Sequence, residues 1–225
     1  MLIVIRIGGS VIASPTNPKL INHYIRLLKK LRKNGHEIIT VVGGGTLARE
    51  FIKTGNQLGL SEEAKDWIAI HISHLYALLF TLKLGNNGAK CVPNSINEAF
   101  EAIKKGKIVV MGGLKPGMTT DAVAAYIIQE TKAQLFVKAT DQDGIYNKDP
   151  RKHKNAKKID KITYHDLTQL LEQNRHKAGI HQILDPVAVK ILEKTHIKTI
   201  IVNGYSPQNI QHAIGGKEIG TTITE

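Results

Sequence analysis

Three short apolar runs in the chain each stop at a cluster of glycines, and this arrangement limits the fold more than any other feature. The runs cover residues 2–7, 37–42 and 107–111, and the clusters are Gly8-Gly9, Gly43-Gly44-Gly45 and Gly112-Gly113. Such runs are typical of buried β-strands, and segments with helical spacing lie between them. Strands that alternate with helices form a mostly parallel sheet with helices on both faces. We therefore predict one α/β unit built on a mostly parallel central sheet.

The long helices carry their own start and stop signals. Asn17 and Pro18 mark the start of the first one, because Asn caps helices and Pro is tolerated in the first turn. Asn34-Gly35 marks its end. Ser61 is placed to cap a second, longer helix. The apolar face predicted for that helix comprises Ala64, Trp67, Ile68, Ile72, Leu75, Leu79 and Leu82.

The rest of the chain continues the alternation. We predict strands at residues 89–92, 134–139 and 198–202, a final edge strand at 221–224, and helices from residue 46 and at 97–104, 119–130, 163–173, 185–195 and 207–214. Residues 140–161 are polar and poor in apolar side chains, which is typical of a long functional or connecting loop. The part after about residue 133 is expected to continue the same sheet.

The chain is strongly basic, with 31 Lys and Arg against 19 Asp and Glu and a net charge of +12 over 225 residues. Such an excess attracts nucleic acids or small phosphorylated substrates. Much of it falls in residues 29–33, at a helix end, and in the polar stretch 148–161. Only 5% of residues are aromatic, and no basic–aromatic stacking motif occurs. We therefore interpret the charge as solvated and expect no nucleic-acid partner.

The single cysteine, Cys91, excludes an internal disulfide framework and a cysteine-only metal site. We expect it to be a small core residue at a strand end. No apolar run approaches the roughly 20 residues of a membrane span, and the N-terminus lacks the basic start and cleavage site of a signal peptide. We expect a cytoplasmic protein with no membrane partner and no protein-bound metal.

The glycine clusters fall where open α/β sheets bind their ligands, outside the carboxyl ends of the strands. Glycine amides beside a helix start make an anion site, although tight turns also require glycine. Two familiar nucleotide-binding motifs match the sequence only in part and are rejected. Gly112 and Gly117 have P-loop spacing, but Met118 and Thr119 follow in place of the lysine. Residues 43–48 have dinucleotide spacing, without an acidic residue at the next strand end.

Polar side chains follow two of the predicted strands. Thr119, Thr120 and Asp121 stand at a helix start, where capping explains one of them and where hydroxyl groups can also hold a base edge or a phosphate. Asp141 and Asp143 stand at a strand end. Asp-Gly is a common turn pair, and a carboxylate there can also order a basic group or Mg²⁺ near a transferring phosphate.

Three segments carry a resemblance to a known family: residues 42–49 (VGGGTLAR), 112–125 (GGLKPGMTTDAVAA) and 140–150 (TDQDGIYNKDP). With them the chain resembles the archaeal-type UMP kinases of the amino-acid kinase superfamily. The resemblance implies a three-layer αβα sandwich, a homohexamer, and transfer of the γ-phosphate of ATP to UMP with Mg²⁺ in pyrimidine nucleotide synthesis. It implies a single domain over residues 1–225, with an acceptor part at about 1–133 and an ATP part at about 134–225.

The resemblance also implies site roles for individual residues. The ATP side comprises Gly8, Gly9, Ser10, Gly45, Arg49, Thr140, Tyr146 and Asp149. The UMP side comprises Gly44, Asp66, Leu114, Lys115, Pro116, Gly117, Met118, Thr119 and Thr120, with Asp66 accepting hydrogen bonds from the ribose hydroxyls. Asp143 matches the catalytic carboxylate that organises the basic groups of the family.

Two positions depart from the pattern of the superfamily. Arg6 stands where many members have lysine, two residues before the glycine pair. Arginine supplies the same charge with a planar, bidentate geometry, and an unpaired charge in a buried strand is costly. We therefore predict that Arg6 is catalytic and reaches the phosphates. Asp141 stands where bacterial relatives often have lysine; Lys138 could compensate, although a lysine at a strand edge is the simpler interpretation.

Two alternatives to UMP phosphorylation stay open at this point. A sibling kinase for isopentenyl phosphate would be favoured by a histidine that touches the acceptor phosphate, and His71 and His74 on the long helix are the candidates. A nucleotide-binding protein of the same fold without turnover is the other alternative, because of Arg6 and Asp141. The segment 112–125 favours uridine over the first alternative.

Overall fold

Strands and helices alternate along the chain in the computed structural model, which describes residues 1–173 and 183–225. The strands are β1 (Leu2–Ile7), β2 (Glu37–Val42), β3 (Val109–Met111), β4 (Leu135–Thr140), β5 (Ile145–Tyr146), β6 (Lys158–Ile159), β7 (Lys161–Thr163), β8 (Thr199–Asn203) and β9 (Thr221–Thr224). The helices are α1 (Gly9–Ile12), α2 (Pro18–Lys33), α3 (Gly45–Gln57), α4 (Glu62–Leu84), α5 (Ile96–Lys104), α6 (Thr120–Thr131), α7 (Tyr164–Gln173), α8 (Pro186–Thr195) and α9 (Gln208–Ile214).

Seven strands form one sheet in the order β3-β2-β1-β4-β8-β9-β7. β1 pairs in parallel with β2 and β4, β2 with β3, and β4 with β8, whereas β9 runs antiparallel to β8. The predicted mostly parallel sheet is confirmed. Because parallel strands end at the same edge, the glycine clusters after β1, β2 and β3 meet there beside the end of β4.

Two apolar clusters lie on opposite faces of this sheet. Successive side chains of a strand point to opposite faces, so Ile3 and Ile5 join the cluster that includes α2 and α4. Leu2 and Val4 join the cluster that includes α5, α6 and α8. The fold is therefore the expected three-layer αβα sandwich. Arg6 follows Leu2 and Val4 in this alternation and thus faces α6.

The predicted starts of the two long helices are confirmed. The backbone N–H of Leu20 donates to Oδ1 of Asn17 (3.0 Å), and Pro18 occupies the first turn of α2. The N–H of Ala64 donates to Oγ of Ser61 (3.2 Å) at the start of α4. α4 then continues for 23 residues along the sheet.

α4 turns a different face to the core from the one that its sequence predicts. Ile72 is buried as expected, but Trp67, Leu75, Leu79 and Leu82 are 43%, 58%, 48% and 69% exposed. Buried positions on the other side of the helix include Ile70, Tyr76, Ala77, Phe80 and Leu84. Both sides of α4 are apolar, so helical spacing alone does not decide which side faces inward.

By length and composition, the segment Glu62–Asn87 could also cross a membrane, so the expectation that no segment meets this criterion is wrong. Core helices of soluble proteins pass the same test, and 44% of the most apolar stretch of this segment is buried within the fold. α4 contacts α3, β2 and β3. These contacts are those of a helix that packs on a sheet.

Four other local predictions differ from the structure. Residues 89–92 form no strand, since Pro93 follows at once and cannot donate to a ladder, and Cys91 is exposed rather than part of the core. The stretch 140–161 contains the antiparallel pair β5–β6, whose two-residue strands are too short to show a periodicity. β9 is not the edge strand, because the three residues of β7 pair along its outer side.

Candidate active site

A cavity of about 800 Å³ lies at the edge where the parallel strands end. Pockets of this size commonly hold a small ligand. The predicted site residues that line it are Arg6, Gly9, Ser10, Gly44, Gly45, Arg49, Asp66, Lys115, Gly117, Met118, Thr119, Thr120 and Thr140. The predicted residues outside its wall are Gly8, Leu114, Pro116, Asp143, Tyr146 and Asp149.

The two glycine loops after β1 and β2 touch each other through their backbones. A Cβ atom at Gly9 would overlap the backbone nitrogen of Gly45, and one at Gly45, whose φ is +62°, would overlap the carbonyl oxygen of Ala13. The N–H of Thr46 donates to that same oxygen (2.9 Å). Glycine is therefore required for this close approach, which brings Gly9, Ser10 and Gly45 together on one wall of the cavity.

The loop between β3 and α6 is fastened to α4. Oδ2 of Asp66 accepts a hydrogen bond from the N–H of Gly117 (2.7 Å). Oγ of Ser73 accepts one from the N–H of Gly113 (2.8 Å), and Nε2 of His74 lies 2.7 Å from the carbonyl oxygen of Gly113. Oδ1 of Asp66 has no hydrogen bond to any residue in the described parts of the chain, so it is available to a ligand.

Neither histidine of α4 lines the cavity. His74 contacts Gly113, and the exposed ring of His71 stacks on Trp67 with 6.2 Å between ring centroids. Within residues 1–173 and 183–225, no histidine contributes to the cavity wall. The feature that would favour an isopentenyl phosphate kinase is therefore missing from this part of the site.

At the base of the cavity, one carboxylate joins two basic side chains. Nε of Arg6 lies 2.9 Å from Oδ1 of Asp121, and Nζ of Lys138 donates to Oδ2 of Asp121 (2.5 Å). Arg6 and Lys138 are register partners on β1 and β4 and both face α6, where like charges would repel each other. Asp121, in the first turn of α6, stands between them.

The contact between Arg6 and Asp121 is an ion pair by distance without hydrogen-bond alignment. Nε of Arg6 and Oδ1 of Asp121 are buried and have no hydrogen-bond partner. Nη2 of Arg6 instead donates to Oγ1 of Thr120 (2.9 Å). The guanidinium group is thus held by two side chains at the start of α6, with the strong attraction coming from charge.

Burial and the neighbouring opposite charges shift the pKa values of Asp121 and Lys138 in opposite directions. Burial alone would raise the pKa of Asp121, but the positive charges of Arg6 and Lys138 outweigh it and hold the pKa below its ordinary value. Burial lowers the pKa of Lys138 to about 8, against the opposing effect of Asp121. The exposed fraction is 2% for the Lys138 side chain and 17% for Arg6. Arg6 is therefore accessible from the cavity, whereas Lys138 is enclosed and contacts Asp121.

The carboxylate that contacts both Arg6 and Lys138 is thus Asp121, and Asp143 contacts neither of them. Oδ1 of the exposed Asp143 accepts a hydrogen bond from Nδ2 of Asn203 (2.8 Å), and Asp143 has no ion pair within the two described ranges. Lys138 is not at a strand edge either, because β4 lies inside the sheet between β1 and β8. Arg6 and Lys138 each interrupt an apolar strand near its carboxyl end. This shared position is the sequence pattern that could have indicated that the two side chains belong to the same site.

The end of β4 and the turn after β5 form another part of the wall. Oγ1 of Thr140 donates to Oδ1 of Asp141 (3.2 Å), and Nη2 of Arg151 donates to Oδ2 of Asp141 (2.5 Å). Both Asp141 and Arg151 line the cavity, and no local sequence pattern marks Arg151 as a site residue. Arg49 contributes a further cation, which donates to Oγ1 of Thr46 (3.2 Å).

The predicted residues outside the wall have local contacts. The N–H of Gly8 donates to the carbonyl oxygen at the end of β4 (2.8 Å), and Leu114 packs against the apolar cluster around α6. Pro116 is half-buried in its loop, and Tyr146 lies in β5. Oδ1 of Asp149 accepts a hydrogen bond from the N–H two residues further on (3.0 Å).

The sequence profile of the amino acid kinase family matches residues 1–203 of the chain. The chain belongs to the amino acid kinase family. It is 42% identical over 214 residues to the uridylate kinase of Methanococcoides burtonii, which covers 95% of this chain and 91% of that relative. It is 40% identical over 225 residues to the uridylate kinase of Methanocaldococcus jannaschii, which covers 99% of both chains.

A solved structure supports the same comparison. The crystal structure of the uridylate kinase from Archaeoglobus fulgidus superimposes with a TM-score of 0.90 at 36% identity, and the match covers 100% of both chains. The family membership and the αβα fold implied by the resemblance are therefore confirmed.

Proposed function

We propose that this member of the amino acid kinase family is a UMP kinase. It transfers the γ-phosphate of ATP to UMP and releases UDP and ADP, a step of pyrimidine nucleotide biosynthesis. Relatives named uridylate kinase, aligned over nearly the full length of both chains, support this. The observation that carries the proposal is the contact of Asp66 with Gly117, because it joins an acceptor-binding loop to the cavity that the glycine loops also line.

UMP occupies the side of the cavity formed by α4 and the loop before α6. Its binding residues are Gly44, Asp66, Leu114, Lys115, Pro116, Gly117, Met118, Thr119 and Thr120. Oδ1 of Asp66, which is not used by Gly117, accepts hydrogen bonds from the ribose hydroxyls. The exposed Lys115 supplies positive charge for the phosphate of UMP.

ATP occupies the side formed by the glycine loops and the part of the chain from about residue 134 to residue 225. Its binding residues are Gly8, Gly9, Ser10, Gly45, Arg49, Thr140, Tyr146 and Asp149. Mg²⁺ enters as part of the Mg·ATP substrate. This follows the usual behaviour of Mg²⁺, which commonly binds through substrate phosphates and one or two carboxylates.

The transfer requires positioning and charge neutralisation rather than covalent work by the protein. A phosphate oxygen of UMP attacks the γ-phosphorus, the bond from that phosphorus to the β–γ bridging oxygen breaks, and ADP leaves with the electron pair. Arg6 is the catalytic cation that contacts the transferring phosphate. Asp121 and Lys138 orient Arg6 and set the charge behind it.

The exposed side of α4 supports self-association. Trp67, Leu75, Leu78, Leu79 and Leu82 follow one another at intervals that place them on one side of the helix, and each is at least 39% exposed. Contiguous apolar patches of this kind mark interaction sites. The occupant is a second copy of the chain, within a cytoplasmic homohexamer.

ADP release from Mg·ATP by the purified protein tests the proposed activity. UMP, CMP, dUMP, isopentenyl phosphate, acetylglutamate and carbamate are offered in parallel. We expect turnover with UMP well above that with every other acceptor. Faster turnover with isopentenyl phosphate would contradict the acceptor assignment, and tight nucleotide binding without turnover would contradict the kinase activity.

A further inference from the structure

A carboxylate stands in the cavity wall where it would repel phosphate unless it is neutralised. Asp141 follows the end of β4, lines the cavity, and has 26% of its side chain exposed. Two residues earlier, the carbonyl oxygen of Ala139 accepts the hydrogen bond from Gly8 (2.8 Å), so Asp141 lies next to the glycine loop after β1. A phosphate bound on that loop would be close to Asp141, and the repulsion is strongest at short distance.

Arg151 neutralises this carboxylate from ten residues further along the chain. Its Nη2 donates to Oδ2 of Asp141 at 2.5 Å, and Arg151 also lines the cavity. Of the ion pairs within the described ranges, this is the one whose two members both belong to the cavity wall. The pairing cancels the negative charge of Asp141, and the cavity wall presents the guanidinium group of Arg151 at this position instead of a lone carboxylate.

The turn that carries Arg151 is fixed at its base. The N–H of Arg151 donates to Oδ1 of Asp149 (3.0 Å), and the N–H groups of Lys152 and His153 donate to the carbonyl oxygen of Asp149 at 3.1 and 3.0 Å. The antiparallel pairing of β5 with β6 closes the stretch around this turn. An arginine held by its backbone at one end and by a carboxylate at the other loses little conformational freedom when a ligand binds.

The guanidinium group of Arg151 keeps donors free for a ligand. Arginine has five N–H donors in a planar fork, and 57% of this side chain is exposed. We propose that Arg151 binds phosphate oxygens of Mg·ATP and that Asp141 is the positioning residue that holds it there. The identity of the ligand rests on the proposed kinase function. Arginine and phosphate form strong, often bidentate, charge-assisted hydrogen bonds.

The competing explanation is that Asp141 and Arg151 form an ordinary surface ion pair with no role in ligand binding. Many such pairs contribute little even to stability. The two explanations differ in their expected effect on ligand binding. Arg151→Ala is expected to weaken the binding of Mg·ATP by about tenfold or more and to leave the binding of UMP unchanged. Asp141→Asn in the Arg151→Ala background is expected to recover part of the loss, because the exposed carboxylate is gone.

Calorimetric titration of Mg·ATP, and separately of UMP, into five proteins tests the proposal. They are the wild type, Arg151→Ala, Asp141→Asn, the double variant, and Lys152→Ala as a control of the same charge on the same turn. Lys152 is exposed and lies outside the cavity wall. Thermal melts check that each variant is folded.

Three results would overturn the inference. These are an unchanged dissociation constant for Mg·ATP in Arg151→Ala, an equal loss in Lys152→Ala, and an equal loss for UMP. A double variant no better than Arg151→Ala would overturn the repulsion assigned to the unpaired Asp141 carboxylate. Unchanged Mg·ATP binding in Asp141→Asn would overturn the role of Asp141 in positioning Arg151. Wild type that binds Mg·ATP but does not phosphorylate UMP would contradict the kinase function alone, and UMP turnover with an unaffected Arg151→Ala would contradict this inference alone. Wild type that does not bind Mg·ATP would overturn both.

Discussion

Arg6 and Lys138 occupy partner positions on neighbouring parallel strands, and both direct their charge to the carboxylate of Asp121 between them. Without Asp121, two cations would face each other on a buried side of the sheet. With it, the three charges attract, and a positive group is held at the base of the cavity. Removing one member of a buried charge set leaves an uncompensated charge, so the three residues act as a unit.

Asp121→Asn is expected to destabilise the protein strongly. The change keeps the size of the side chain but removes the negative charge between Arg6 and Lys138. We expect the free energy of unfolding to fall by about 3 kcal/mol, and turnover to fall because Arg6 loses its orientation. Denaturant unfolding measures the first effect and initial rates the second.

A surface carboxylate provides the control for this prediction. Glu101 forms an exposed pair with Lys104 at 2.8 Å, and Glu101→Gln is expected to change stability by less than about 0.5 kcal/mol. Equally small losses of unfolding free energy in Asp121→Asn and Glu101→Gln would contradict the prediction that the buried charge set contributes strongly to stability.

The rate is expected to fall as the pH rises through about 8, the value to which burial lowers the pKa of Lys138. The groups that act on Lys138 are Asp121, Arg6 and Asp185. Loss of its proton removes a positive charge from the centre that supports Arg6. The measurement is kcat with saturating substrates from neutral to alkaline pH. Lys138→Arg, which stays protonated, is expected to lack the decline, and an identical decline in that variant would contradict the assignment.

The same pKa makes a separate prediction about stability. Between about pH 8 and pH 10.5, the unfolded chain keeps the proton that folded Lys138 has lost. The contribution of this group to stability therefore rises with pH across that window, and the cost of the buried charge is fully present below it. Denaturant unfolding of wild type and Lys138→Met across the window measures the difference. Parallel stability curves for the two proteins would count against the buried charge.

Asp66→Asn is expected to weaken the binding of UMP much more than the binding of ATP. Its Oδ1 is the proposed acceptor for the ribose hydroxyls, and losing a charged acceptor raises the KM for UMP by about tenfold or more. Steady-state kinetics with each substrate varied in turn gives the two KM values. Glu63→Gln, in the first turn of α4 and outside the cavity, is the matched control and is expected to change neither. An equal rise in the KM for ATP would contradict the acceptor role.

The exposed side of α4 predicts an assembly larger than one chain. Light scattering of wild type is expected to give a multiple of 24.8 kDa, and replacing Leu75 and Leu82 by Glu is expected to lower it. Val187→Glu is the control, because Val187 is an equally exposed apolar residue (50%) on α8. A wild-type mass of 24.8 kDa would contradict self-association through this surface.

The sheet was predictable because its strands are marked by local signals. The bounds of β1 and β2 agree with the prediction, since each apolar run stops at glycines that the close approach of Gly9 to Gly45 requires. The inward face of α4 was not predictable in the same way. Trp67 and Phe80 lie on apolar sides of one helix, and only the position of the sheet decides that Phe80 is buried.

The candidate site was predictable only in part, because its charge pairs join residues that are distant in the sequence. Arg6 was singled out as a charge in a buried strand, but its partner Asp121 belongs to α6. Two aspartates in the next segments, Asp141 and Asp143, have the same local signals as Asp121. Arg151 lies in a polar turn without periodicity, so no local pattern connects it to Asp141.

The most direct test of the account is UDP formation from UMP and Mg·ATP, followed by ³¹P NMR for wild type and Arg6→Ala side by side. We predict that wild type forms UDP at the rate at which it forms ADP, and that Arg6→Ala forms UDP at least about a hundredfold more slowly. Release of ADP and inorganic phosphate without UDP would contradict the proposed reaction. A rate for Arg6→Ala within about twofold of wild type would contradict the role of the charge centre at the base of the cavity.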